Sequence, residues 1–310
     1  MTSQLLLGIG GAHVDRRGRA LKPFVFGVSN PGTMHEEVGG GVLNALRAAR
    51  FQDVSAAILS VRGGDAAGET VEKAIAIAGI TDLSAVFLDR STPSYTAILD
   101  ESGDVVAALA DMQLYEATFE RQLRRLGFRE AIGRAHTLLV DANLPEGALA
   151  AMIRASSGKV VHAMAISPAK AIRLRPHLGQ LSGLYMNARE ALVLSGQADA
   201  PAAAKWFLEQ GVSLGAITNG SGAVIGFEAD GVFSLLPPTP ERILDVTGAG
   251  DALAGTVVAC LMSGTPLRTA IRAGLAAASL TVESEGAAPV FERLAFEERL
   301  ALVPEAEGVA

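Results

Sequence analysis

A run of seven residues, Asp245-Val-Thr-Gly-Ala-Gly-Asp251, leads without a break into the apolar stretch Ala252 to Met262. The stretch has helical spacing and no proline, and the glycines before it permit a backbone turn that bulkier residues would block. A glycine-rich turn opening a helix leaves amide N–H groups unpaired at the positive end of the helix dipole, which suits an anion. A carboxylate placed there would repel phosphate, so Asp251 calls for a reason. Helix capping is one, since Asp is favoured at helix starts. A general base beside a phosphate hole is the other, accepting the proton of an alcohol that attacks phosphorus. The spacing alone leaves both open.

Other residues of the same chemical kind recur at strand ends. Gly39-Gly-Gly41 precedes the helical pattern Val42 to Ala49, so backbone there can approach a ligand closely, and Asn44 sits in the first turns within reach of it. A flexible loop and a helix-surface Asn account for the same residues. Asp15 follows the strand Leu5–Ile9 and points to a site above the sheet, where α/β proteins bind ligands; a simple turn Asp is the plain alternative. Asn187 and Glu190 have the spacing of an N-cap and a first-turn Glu. Asn219-Gly-Ser-Gly222 is a glycine loop ending the strand Gly215–Thr218.

Elements must hold these groups together. Leu5–Ile9, Ser55–Ser60, Thr137–Val140, Lys159–Ala163 and Gly215–Thr218 read as short apolar strands alternating with helical patterns such as 68–78 and 273–282. That alternation is α/β, and it predicts one doubly wound domain over 1–310 with helices on both faces of the sheet. Arg16 to Ser29 reads as a charged turn and then an extended segment, ended by the turn Ser29-Asn-Pro-Gly32. Tyr95–Leu99 and Val105–Leu109 read as strands joined by the turn Asp100 to Asp104. With the extended segment near 19–28 they predict a small antiparallel lid, inserted at residues 15–35 and 90–111, that closes to exclude water. The Ala-rich patch at 198–204 reads as a loop entering the Trp206 helix, and the tail from Glu305 as frayed.

The totals bound the function. The 310 residues are 49% hydrophobic with a formal charge of −7, which suits a globular protein with a substantial core. The acidic balance argues against a nucleic-acid surface, and Arg121-Gln-Leu-Arg-Arg125 reads as a solvated helix face. No apolar stretch is long enough to span a bilayer, so no membrane partner is expected and the cytoplasm is the expected compartment. Cys260 is the single cysteine, which excludes an intramolecular disulfide, and it reads as core. The histidines at 13, 35, 136, 162 and 177 lack metal-ligand spacing. G-x-S-x-G and G-x-x-x-x-G-K-[ST] are both missing, which excludes the usual hydrolase elbow and the P-loop.

DVTGAGD resembles the D-T-x-G-A-G-D signature of the ribokinase-like (PfkB) carbohydrate kinases, with Val246 where the family usually has Thr. G-G-x-x-x-N from Gly39 to Asn44 and N-x-x-E at 187–190 resemble two further family motifs. The resemblance implies a ribokinase-like fold with a β-lid, and a kinase that uses ATP and Mg²⁺. It implies Asp251 as catalytic base, with Gly248, Ala249 and Gly250 as anion hole. Asp15, His13, Gly39, Gly40 and Asn44 would hold the sugar. Asn187, Thr218, Gly220, Gly222 and Ser279 would hold the nucleotide, while Asn187 and Glu190 would order the waters of Mg²⁺. It also implies a monovalent cation such as K⁺ at Asp245, Thr247 and Gly286, and a homodimer formed through the lid. Gly10 to Asp15, Ser29 to Gly32, Ala110 to Met112, Asp141 to Asn143 and Ile166 to Lys170 resemble the bacterial pseudouridine kinases within that family, which carry Asn in place of His13. The implied substrate is the 5′-hydroxyl of pseudouridine, with ribose or another nucleoside or sugar as the alternative. A non-catalytic regulatory member is the remaining reading.

Overall fold

The strands Leu5–Ile9 and Thr137–Asp141 are buried along nearly their whole length, with apolar residues through their middles, because both faces are covered. Leu7, Ile9, Leu138 and Val140 point into one core, with Phe119, Phe128, Met152 and Phe207 from helices on that side. Leu6 and Leu139, one residue out of phase, point into a second core with Leu46, Leu253, Val257 and Ile271. This period of two divides the helices between the two faces of one sheet.

The computed structural model of the chain describes residues 4–288 and 291–309. Its main sheet has ten strands, in the order Glu307–Gly308, Gly231–Leu235, Gly222–Glu228, Leu214–Asn219, Gly183–Asn187, Val160–Met164, Thr137–Asp141, Leu5–Ile9, Ser55–Leu59, Thr81–Asp82. From Leu214–Asn219 to Thr81–Asp82 all neighbours run parallel, and the pairings on the other side are antiparallel. The parallel strands share one carboxyl edge, and Asp141, Asn187 and Thr218 lie along it.

A separate four-stranded sheet, in the order Gly32–Gly39, His13–Ala20, Ser94–Leu99, Val105–Asp111, is the lid. It is mixed rather than antiparallel, since His13–Ala20 and Ser94–Leu99 run parallel, and its first two strands flank the segment near 19–28 instead of filling it. The charged turn expected after Asp15 is instead strand: Arg16 pairs across the ladder with Glu36, and Arg17 lies 3.4 Å from Glu37. Cross-strand charge pairs of this kind favour pairing over a turn. The lid therefore spans 13–39 and 94–111, and Asp15 belongs to it rather than to the end of the first core strand.

Two further expectations are corrected. Ala200–Glu209 is a helix from Ala200 onward, because the Asp199 side chain accepts the N–H of Ala202 and caps it at 2.8 Å. Glu307–Gly308 is not frayed but adds an edge strand against Phe233 and Ser234. Cys260 is half-buried and packs at the margin of the second core. Pro289, placed by the sequence in a loop with Gly286, lies outside the described residues.

Candidate active site

Gly248 starts the helix Ala249–Met262 with φ +82°, a left-handed conformation that favours glycine. A Cβ there would also lie 1.9 Å from the carbonyl oxygen of Ala287. The turn is thus packed directly on the backbone of the loop that follows the helix Leu267–Val282. The N–H groups of Gly250 and Asp251 find no backbone acceptor among the described residues, whereas that of Ala249, expected in the anion hole, donates to the Val246 carbonyl at 3.4 Å. Residues 252–259 are all buried, which fixes the helix and the direction of those donors.

Asp251 accepts a hydrogen bond from Asn44 Nδ2 at 3.0 Å. Asn44 lies in the helix Gly41–Phe51, and the approach of the two helices is set by Gly255, one turn beyond Asp251. A Cβ at Gly255 would meet the Ala45 carbonyl oxygen at 1.9 Å. Arg47 Nη1 in turn reaches Asn44 Oδ1 at 3.3 Å and the Val38 carbonyl at 2.8 Å, holding the amide so that its nitrogen faces the carboxylate. Burial pushes Asp251 up to about 7; the Asn44 bond opposes the shift, and the charges of Asp141, Glu190 and Asp15 add to it. A carboxylate with that affinity takes and releases a proton near neutral pH.

Asp15 lies across the lid ladder from Glu37, its Oδ2 over Gly39, where a Cβ would be 2.2 Å away. His13 Nε2 is 3.3 Å from Asp15 Oδ1, and His13 Nδ1 is 3.3 Å from the Tyr115 hydroxyl. Gly40 has φ +115° and packs against the Gly11 carbonyl, with 2.3 Å to a Cβ. The five residues expected to hold the sugar thus lie together, with Asn44 bonded to Asp251 itself.

Asp141 opens one of the segments that resemble the pseudouridine kinases, but nothing in the sequence assigned it a role, and it organises this half of the site. Fully buried, it accepts N–H groups from Gly11 at 3.0 Å, Val42 at 3.2 Å and Asn143 at 2.9 Å. It ties the two glycine loops to the sheet. Ile166, the first residue of another resembling segment, has a backbone the sequence did not foretell: φ is +70°, the Ser167 N–H bonds to the Ala165 carbonyl at 2.8 Å, and its Cδ1 covers Gly41. A β-branched residue there carries strain of about 1–3 kcal/mol, a feature that clusters at functional sites.

On the other half, Asn187 and Thr218 are register partners on adjacent parallel strands. Asn187 and Glu190 form a reciprocal capping box, with Glu190 Oε2 accepting the Asn187 N–H at 2.8 Å and Asn187 Oδ1 accepting the Glu190 N–H at 2.9 Å. The capping reading of this pair is therefore real. Burial raises Glu190, while its bonds from Asn187 hold it back. Gly220, at φ +57°, and Gly222 form the hairpin turn after Leu214–Asn219. Ser279 is buried, and its hydroxyl accepts from Arg299 Nη1 at 2.5 Å, engaged with the last helix.

The match to the family model of pfkB family carbohydrate kinases covers residues 4–293. The chain belongs to that family. It is 42% identical to a carbohydrate kinase from Agrobacterium tumefaciens, covering 98% of this chain and 99% of that one, with a TM-score of 0.88. It is 27% identical to the pseudouridine kinase of Escherichia coli K12 over 89% of this chain and 90% of the relative. Ribokinase from Arabidopsis thaliana, solved with ribose and ATP, shares the fold at 19% identity, TM-score 0.85, over 96% of this chain and 99% of that one. The family is one of sugar and nucleoside kinases that use ATP, and the chain is an enzyme of that kind. Among the described residues no helix is long and apolar enough to cross a membrane.

The kinase site fits the expected ions unequally. Among the described residues no three His, Cys, Asp or Glu side chains cluster as metal ligands. A hydrated Mg²⁺, held through substrate phosphates and one or two carboxylates, does not require such a cluster. The charges of Asp141, Glu190 and Asp15 all act on Asp251, a field that favours a cation beside it. The monovalent-cation residues fit less well. Asp245 Oδ1 accepts the Thr247 N–H at 2.8 Å, and its Oδ2 is taken by the Arg17 guanidinium.

Proposed function

We propose that this pfkB-family kinase transfers the γ-phosphoryl group of ATP to the 5′-hydroxyl of a ribosyl substrate, most specifically pseudouridine. The observation that carries the reading is Asp251: a carboxylate pushed up to about 7, aimed by Asn44, at the start of a helix where the Gly250 and Asp251 N–H groups have no backbone acceptor among the described residues. Asp15, Gly39, Gly40 and Asn44 hold the ribose hydroxyls, with His13 beside Asp15. Asp251 accepts the proton of the attacking hydroxyl as the oxygen bonds to phosphorus in line with the departing ADP. The amides of 248–250 take up charge that develops on the transferring group. Asn187, Thr218, Gly220 and Gly222 line the nucleotide side, and Ser279 supports it from within the helix. When bound near Asn187 and Glu190, Mg²⁺ neutralises phosphate charge.

Support for pseudouridine rests on the likeness to the E. coli enzyme and on the short segments at 10–15, 29–32, 110–112, 141–143 and 166–170. The test is ADP release with Mg²⁺-ATP against pseudouridine, uridine, cytidine, adenosine, ribose and fructose 6-phosphate. Turnover confined to pseudouridine is expected. Turnover on another member moves the specificity and keeps the mechanism, whereas silence on all of them with ATP bound rejects the reading.

A further inference from the structure

The lid strand His13–Ala20 carries Asp15 and Arg17 on the same face, two residues apart, so both turn toward the cleft. Arg17 Nη1 donates to Asp245 Oδ2, the first carboxylate of the signature, and Nη2 lies 3.4 Å from Glu37 Oε1 on the neighbouring lid strand. Glu37 Oε2 meanwhile faces Gly286, where a Cβ would be 2.8 Å away. Two lid strands, the start of the signature and the loop after Leu267–Val282 thus converge on one guanidinium. Arg17 and Asp245 are both partly buried, so their pairing is screened less than a surface pair would be.

We propose that Arg17 is the resident cation of the signature loop: it replaces a bound monovalent ion at Asp245 and couples the Gly248–Gly250 amides to the lid. A free ion would have to displace a positive charge that the fold keeps at an effective concentration on the order of millimolar or higher. A planar guanidinium, with several donors in a fixed fork, also suits a site shared by two carboxylates better than a lysine would. Arg17 is a positioning residue, acting on the phosphoryl site through Asp245. The inference rests on the kinase reading above, but its first readout needs no turnover.

Thermal unfolding of the wild-type chain is measured in potassium, sodium and tetramethylammonium chloride at equal ionic strength. Midpoints agreeing within about 1 °C are expected, because a ligand that binds the folded state would raise them by its mass action. Arg17→Gln, which empties the position of charge, is expected to gain about 3 °C in potassium over tetramethylammonium. Its turnover in tetramethylammonium should fall about tenfold and recover with potassium or low guanidinium, while Arg17→Lys stays closer to wild type. A wild-type midpoint that rises several degrees in potassium overturns the proposal, as does an Arg17→Gln enzyme that turns over normally without potassium. If Arg17→Gln fails to fold, the wild-type ion series still decides. If no substrate is phosphorylated, the midpoints test the ion site apart from the kinase reading.

Discussion

Asp251 concentrates the chemistry of the site in one titration. Its value near 7 means that kcat/KM for the acceptor should rise about tenfold per pH unit below neutrality and level off above it. A cation bound with the nucleotide favours the ionised form, so at saturating Mg²⁺-ATP the rise should finish at lower pH than the titration of Asp251 in the nucleotide-free protein; a rate with no acid limb would count against the base assignment. Asp251→Asn should lower kcat on the order of 10²-fold or more while nucleotide still binds, measured by calorimetry and steady-state turnover. The same change carries a stability signature. The folded state binds the Asp251 proton more tightly than the unfolded chain, so stability falls as pH rises from the ordinary Asp range through about 7. Asn, which still accepts from Asn44, should therefore stabilise the protein by roughly 1–2 kcal/mol at pH 8, less than the full shift because the cleft stays partly wet. That gain should vanish toward pH 4 in urea unfolding. Asp15→Ala should act differently, raising KM for the acceptor more than it lowers kcat.

At the scale of elements, the crossing of Gly41–Phe51 over Ala249–Met262 places Asn44 against Asp251. Gly255 permits that crossing through bare backbone against Ala45. Gly255→Ala should cost about 1–3 kcal/mol in urea unfolding and also lower kcat, though no polar group of the site is altered. Unchanged turnover in a folded Gly255→Ala protein would separate helix spacing from catalysis. The capping box at Asn187 and Glu190 shows how one pair can satisfy a helix end and still lie beside the cleft. The lid shows a limit of local reading: Arg16 and Arg17 look like a turn until Glu36 stands opposite the first and Glu37 lies diagonally from the second.

For the whole molecule, the lid has two faces. Asp15, Arg17 and Glu37 lie on the one turned to the cleft, while the ladder puts Met34, Ile98 and Leu109 on the other. Met34 and Leu109 are 61% and 72% exposed, an apolar surface that supports the homodimer expected through the lid. Sedimentation of the wild-type chain should show a dimer, and Leu109→Asp should shift it toward monomer. A monomeric wild type at micromolar concentration would remove the dimer from the reading.

The sequence by itself determined the α/β class, the helix behind Asp251, the glycine turns and the family, because each depends on local pattern: period, missing side chains and contiguous motif. Only the tertiary structure decided how those pieces meet. Asp141 is an ordinary strand-end residue until its oxygens meet the amides of Gly11 and Val42, 130 and 99 residues away along the chain. Asn44 and Asp251, 207 residues apart, become one hydrogen-bonded unit. Arg17 becomes a cation for Asp245 only when the lid lies over the signature loop. Contacts of that separation leave no periodic trace in the chain, since they are set by which strands neighbour one another and how closely glycine lets two helices cross.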